Sequence, residues 1–256
     1  MGKILSYYLE ENDKTVEENL IDHINIALDF TKGLKTSKVA RFADKLCREV
    51  DFQDLIRLSI IFHDAGKVFY QRNFITKEER KFLSFRGHEY LSAYIFEEFR
   101  NKLIEQNLEN CEKYGLYKAC TFAIFYHHHA MNVRLRTPQI IEESIKNGLN
   151  LLNSFKNDVQ CLFTRDELNA LEDAVDVIKS LPIESFLANI RREVDETNRE
   201  LWNDLIAKPE IKKLSFLTLS ILLAADYSAA QKKRKSGQSM FKRALDDFYY
   251  LYLTHV

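Results

Sequence analysis

Glycine occurs only 7 times and proline only 3 times in 256 residues, where average usage of about 7% and 5% would give roughly 18 and 13. A chain so short of turn residues is not expected to build a many-stranded sandwich or barrel, and an almost wholly helical protein is the expectation. Cysteine is sparse and scattered. Cys47, Cys111, Cys120 and Cys161 form no CxxC pair and no compact cluster. That pattern argues against a thiolate zinc finger or a disulfide frame and, with no signal peptide recognised, points to buried thiols in a reducing, cytoplasmic setting. Neither sign of charge is in excess, since 37 Lys and Arg face 38 Asp and Glu, so any basic surface must be local. The longest apolar run, Leu214 to Ala225, is too short to cross a bilayer and runs into Asp226; a core helix is expected there, and no membrane partner. There is no GxSxG elbow. Gly66-Lys67 is followed by Val68 and has no glycine five positions upstream, so it is not a phosphate-binding P-loop and an NTP-driven motor is not expected.

What the chain does have is hydrophobic residues, 46% of the total, enough for one substantial core. Helical periodicity runs over Asn19–Lys32, Ser37–Val50, Asp54–Phe62, Glu89–Glu105, Tyr117–His129, Thr164–Ile178, Ile183–Ile206, Ile211–Lys233 and Met240–Leu253, with Asp54 as a capping residue. Ala65-Gly66-Lys67 breaks the third of these, Arg72–Phe85 is expected as a charged loop or short helix, and Pro138 marks a loop. With no repeat and no linker composition, the expectation is a single domain over 1–256. A histidine-free stretch around 134–209 is then scaffold, partner surface or a helical insertion.

Six of the seven histidines fall in four segments: His23, His63, His88 and the run His127-His128-His129. Two segments add charged companions, His63-Asp64 with Lys67 beyond, and His88-Glu89. Neutral imidazole is the commonest side-chain ligand for borderline divalent ions, and a carboxylate can bridge two of them. Each signal alone is weak, because a lone histidine is more often structural and a His-Asp pair is common. Asp226, between Ala225 and Tyr227 on an apolar helix, is the sharpest single oddity. Burial of that carboxylate demands a metal or a charged partner on a neighbouring helix.

Taken together, these residues resemble a known family. Ile61-Phe62-His63-Asp64-Ala65-Gly66-Lys67 resembles the HDxGK signature of HD-superfamily metal-dependent phosphohydrolases. The order His23, His63-Asp64, His88, paired histidines and late Asp226 resembles the HD nuclease of type I CRISPR interference systems. Gly87 to Ala93 is similar to its His-Glu-x-x-Ser-Ala helix start, and Tyr126 to Ala130 to its His-His-small element. That nuclease is often fused to a helicase, and this chain resembles the stand-alone form. The resemblance implies an all-α, compact HD-domain helical bundle with a metal site between helices. It implies two divalent ions (Mn, Ni, Co, Fe or Mg). His23, His63 and Asp226 would hold one, Asp64 would bridge, and His88 with two of His127, His128 and His129 would hold the other. The family has a histidine pair where this chain has three. Lys67 would face the substrate phosphate. The implied activity is cleavage of single-stranded DNA, with RNA as a further substrate, by two-metal activated-water attack on the phosphodiester. The implied setting is antiviral CRISPR interference, with a separate helicase subunit and an effector complex as partners.

From Tyr227 to Leu245 there is no acid, while Lys232, Lys233, Arg234, Lys235, Lys242 and Arg243 are present. Such a patch would neutralise nucleic-acid phosphates, helped by Arg134 and Arg136, with Tyr70 and Phe74 as stacking aromatics. An ordinary solvated charge run is the plainer alternative. Two other functions stay open: a small-molecule HD phosphohydrolase (nucleotidase or cyclic-nucleotide phosphodiesterase), and a degenerate HD scaffold or binding module.

Overall fold

The computed structural model describes residues 3–46, 48–128, 138, 140–234, 243, 244, 247, 248 and 250, with only the backbone at Lys233 and Arg234. Its body is the expected helical bundle, joined by a small sheet that the sequence reading did not foresee. Strands β1 (Leu5–Glu11) and β2 (Lys14–Asn19) form a hairpin, and β3 (Phe74–Lys77) and β4 (Arg80–Leu83) a second one. All pairings are antiparallel, in the order β2-β1-β4-β3. The first turn uses Asn12 and Asp13, both with positive φ, and the second uses Glu78 in the same region. Two-residue hairpin turns of this kind do not depend on glycine or proline, which is why a low count of both did not exclude strands. The Arg72–Phe85 stretch, expected as a loop or short helix, is therefore largely the second hairpin.

The helices are α1 (Leu20–Phe30), α2 (Lys38–Leu46), α3 (Phe52–Phe62), α4 (His88–Gln106), α5 (Cys111–Gly115), α6 (Lys118–Tyr126), α7 (Glu142–Val159), α8 (Arg165–Ser180), α9 (Phe186–Ala207) and α10 (Pro209–Arg234). The cap of α3 is Asp51, whose carboxylate accepts from Gln53 N at 2.8 Å, rather than Asp54, which lies in the first turn and pairs with Arg57. Thr164 and Glu167 close a reciprocal capping box on α8. Helix α7 was not foreseen. The expected helix Met240–Leu253 falls largely outside the described residues.

Helix α4 is buried on several faces and packs against α6, α8, α9 and the 3₁₀ segment Ala65–Tyr70. Helix α10 lies against α1, α3, α6 and α9. By length and composition alone Pro209–Lys232 could cross a membrane; in this fold its Leu214, Ile221, Leu222, Ala225 and Ala229 belong to the core. Among the described cysteines only Cys120 is buried, Cys111 and Cys161 being exposed free thiols, which corrects the expectation of buried thiols throughout.

Candidate metal centre

Five helices deliver the site. His23 shares the buried face of α1 with Leu20, Ile24 and Ala27. His63 is the C-cap of α3, with Asp64 next to it. His88 is the first residue of α4, following Gly87 in the left-handed region at φ 84°. His127 caps the end of α6 with His128 after it, and Asp226 sits on α10. Close approach of α4 to the His63–Lys67 turn depends on Gly66. A Cβ there would lie 2.3 Å from His88 O and 2.7 Å from Ser92 N, while Gly66 N–H donates to Ser92 Oγ at 2.8 Å.

Three imidazoles are held alike. Nδ1 of His63, His88 and His127 lies 2.8, 2.7 and 2.6 Å from the main-chain oxygens of Ile60, Phe85 and Ile124. A carbonyl only accepts, so each Nδ1 carries the proton and each Nε2 is left to face the centre. All three Nε2 atoms are buried and without a hydrogen bond. Buried polar atoms are rarely left so. Three converging on one carboxylate fit a metal-binding donor set.

The donors fall into two sets, Asp64, His88, His127 and His128, and His23, His63 and Asp226, with the ligand atoms of each within 4.8 Å of one another. Asp64 faces both. Its Oδ1 is 2.9 Å from His88 Nε2 and 4.0 Å from His127 Nε2. Its Oδ2 is 3.3 Å from His63 Nε2 and 3.9 Å from His23 Nε2. Asp226 Oδ1 lies 3.0 Å from His23 Nε2 and 3.7 Å from His63 Nε2.

The electrostatics separate the histidines. Burial disfavours the charged form of His63, but the carboxylates of Asp64 and Asp226 outweigh it and push the pKa up to about 10. His128 is pushed down to about 3 by burial and the neighbouring His88, and His127 falls well below the usual range through burial and the imidazoles around it. Burial works against ionisation of Asp64, yet His63 and Lys67 hold it well below the usual carboxylate range; His23 and His63 do the same for Asp226.

Of the residues singled out in the sequence, His23, His63, Asp64, His88, His127, His128 and Asp226 meet here, while His129 lies outside the described residues. Lys67 does not stand clear of the ligands: its Nζ is 2.6 Å from Asp64 Oδ2 and 3.2 Å from Ser6 O, because a buried ammonium needs a counter-charge. It also lines an open cleft of about 310 Å³ with Ser6, Tyr7, Phe85, Arg86, His88 and His128. Tyr70 is fully buried and cannot stack on a base, which corrects that expectation; Phe74 is exposed on β3. Lys232 is exposed on the last turns of α10, and Lys233 and Arg234 continue the helix. Lys235, Lys242, Arg134 and Arg136 lie outside the described residues. The sequence reading missed Glu18, Ser6 and Arg86. No helical pattern marks them, since two are on strands and the third lies between β4 and α4.

Residues 35–148 match the family model of the HD domain. That span holds the His63–Lys67 turn, His88 and the tandem histidines, while His23 and Asp226 lie beyond its ends. The match is to a segment of the chain, and the two donor sets that meet within and beside it could hold divalent ions. No curated protein and no solved structure matches the chain.

Proposed function

We propose that the protein is a nuclease that cleaves single-stranded DNA with two divalent ions held by the two donor sets that meet at Asp64. The observation that carries this reading is the division of Asp64: one oxygen faces His88 and His127, the other His63 and His23. When bound, divalent ions supply an activated water and charge for the phosphoryl oxygens. The mixed imidazole and carboxylate donors suit Mn, Ni, Co or Fe, with Mg as the harder alternative. His127 and His128, held neutral, are ready donors. Asp64 fixes the two sets relative to each other, and Lys67 brings a positive charge to the cleft wall.

A polymeric substrate is supported by Arg86 on the cleft and by exposed Lys232 on the helix that carries Asp226. Cations in such places can engage phosphates flanking the one under attack. The resemblance of residues 61–67, 87–93 and 126–130 to the HD nuclease of type I CRISPR systems supports single-stranded DNA. It also supports work beside a separate helicase subunit and an effector complex in the cytoplasm. A cleft of about 310 Å³ is also large enough for a single small ligand, so a nucleotidase or cyclic-nucleotide phosphodiesterase is the second reading. Purified protein supplied with Mn²⁺, Ni²⁺ or Co²⁺ should cleave labelled single-stranded DNA in preference to a panel of mononucleotides and cyclic nucleotides. Exclusive turnover of the nucleotides would overturn the nuclease.

A further inference from the structure

Strand β2 is inverted relative to an ordinary amphipathic strand. Val16 is 42% exposed, whereas Glu18, on the same face by alternation, is only 2% exposed. A carboxylate does not displace an apolar residue from a protein interior without a partner, because desolvation costs several kcal/mol. The partners are at the metal centre. Glu18 Oε2 accepts from Ser6 Oγ at 3.1 Å and lies 3.5 Å from His23 Nδ1. The β1–β2 register breaks here, between the Leu5↔Asn19 and Tyr7↔Glu18 pairs. Irregularities of this kind re-aim side chains beside functional sites.

His23 differs from the other histidines in where it sits. His63 and His127 stand at helix C-termini, where the last turn leaves main-chain oxygens to take the Nδ1 proton. His88 opens α4, where Phe85 O, outside the helix, accepts from both its main-chain N–H and its Nδ1. His23 lies inside α1, where the helix's own hydrogen bonds occupy the local carbonyls. Its Nδ1 must be oriented from outside the helix, and Glu18 is the acceptor that faces it. Ser6 ties this arrangement to the rest of the centre: its hydroxyl donates to Glu18, while its carbonyl accepts from Lys67, which in turn holds Asp64.

We infer that Glu18 is a positioning residue of the metal centre: through His23 Nδ1 it keeps Nε2 as the donor of the His23–His63–Asp226 set, and the N-terminal hairpin exists in part to deliver it. The inference rests on the metal-binding reading above. It gives β1 and β2, which lie outside the matched HD segment, a role beyond covering the core. Partners of this kind typically alter metal affinity about 10- to 100-fold when removed.

The test compares wild-type protein with Glu18→Gln, Glu18→Leu, Ser6→Ala and the exposed-neighbour control Glu17→Gln, titrated with Mn²⁺ and Co²⁺ by calorimetry and followed by thermal melting. Glu18→Gln should weaken one of the two binding steps about tenfold and leave the other and the helical melt unchanged. Glu18→Leu should weaken it further, Ser6→Ala less, and Glu17→Gln not at all. Should Glu18→Leu fail to fold, the isosteric Gln variant and Ser6→Ala still decide the matter. Unaltered binding in Glu18→Gln and Ser6→Ala would overturn the inference while leaving the metal centre in place. An equal loss in both steps would also overturn it, since it would show a general structural role. Wild-type protein that takes up neither ion would overturn both the inference and the reading it rests on.

Discussion

The ammonium of Lys67 lies 2.6 Å from Asp64 Oδ2, the same oxygen that faces His63 and His23. A cation there and a divalent ion on that oxygen repel one another and compete for the same lone pairs. Lys67→Met should therefore bind Mn²⁺ as tightly as wild type or more tightly, yet cleave more slowly because the charge on the cleft wall is gone. Parallel calorimetry and single-turnover cleavage check this. A variant that loses metal along with activity would show that Lys67 organises the ligands instead.

Asp64 is the residue both sets share. Asp64→Ala removes a negative charge from the point where the sets meet, but little apolar volume. Cleavage should fall at least about a thousandfold, the equivalent of roughly 4 kcal/mol of barrier, with the far-ultraviolet circular dichroism of the folded protein retained. Near wild-type turnover would disqualify the centre.

Against burial, the carboxylates of Asp64 and Asp226 push the pKa of His63 up to about 10 from its ordinary 6.5. Its charged form thus contributes stability that is fully present below about pH 6.5 and fades as pH rises through about 10. Coordination through Nε2 requires the neutral ring, so metal uptake in that window must expel the proton. Binding at pH 8 should release at least one proton, and apparent affinity should rise about tenfold per pH unit for each proton displaced. His127 and His128, already neutral, add nothing to that count. Calorimetry in buffers of different ionisation heat measures the release; none at pH 8 would contradict the assignment of His63 as a ligand.

The histidines and Asp226 were legible because their residue types are unusual where they stand, at the ends of apolar helices or inside one. The folding of seven such side chains into two sets is a property of how α1, α3, α4, α6 and α10 pack. The sheet was not legible. Its turns are Asn12-Asp13 and Glu78-Glu79 rather than glycine pairs, and β3 and β4 are mostly exposed, leaving no buried alternation to read. Helix α7 has a regular apolar face in Ile145, Leu149, Leu152, Phe155 and Val159, but Gly148 and four asparagines dilute its helix propensity. Tyr70, read as an exposed stacking aromatic, precedes the polar Gln71-Arg72-Asn73 but closes a buried 3₁₀ turn. Glu18 was invisible because a glutamate in a polar strand has no signature until the opposite strand places Ser6 against it.

Gly66 makes a prediction about stability rather than chemistry. The Cβ of Gly66→Ala would meet main-chain atoms of α4, His88 O at 2.3 Å and Ser92 N at 2.7 Å, which are not the far ends of flexible side chains. Overpacking of this kind costs about 1–3 kcal/mol, and a domain of this size loses roughly 2–4 °C of Tm per kcal/mol. Thermal melting should show a loss of several degrees, with metal affinity reduced as well because His88 moves with its helix. An unchanged Tm would mean that α4 does not approach the turn this closely.

Substrate length is the question that Arg86 and Lys232 can answer. Arg86 is exposed at the cleft beside Lys67, His88 and His128. Lys232 follows Asp226 on α10 by six positions, about 9 Å along the axis at 1.5 Å per residue. Neither is a metal donor, so a small artificial diester such as bis(p-nitrophenyl) phosphate, which has no flanking phosphates, should be hydrolysed by Arg86→Gln and Lys232→Gln much as by wild type. On single-stranded DNA each variant should bind less tightly, and the slope of log affinity against log salt should shallow by about 0.7 for each phosphate that is no longer neutralised. Equal impairment on both substrates would place these side chains in the reaction itself. An unchanged salt slope would mean that the DNA backbone runs along some other surface, and the case for a polymer over a mononucleotide would then rest on the family resemblance alone.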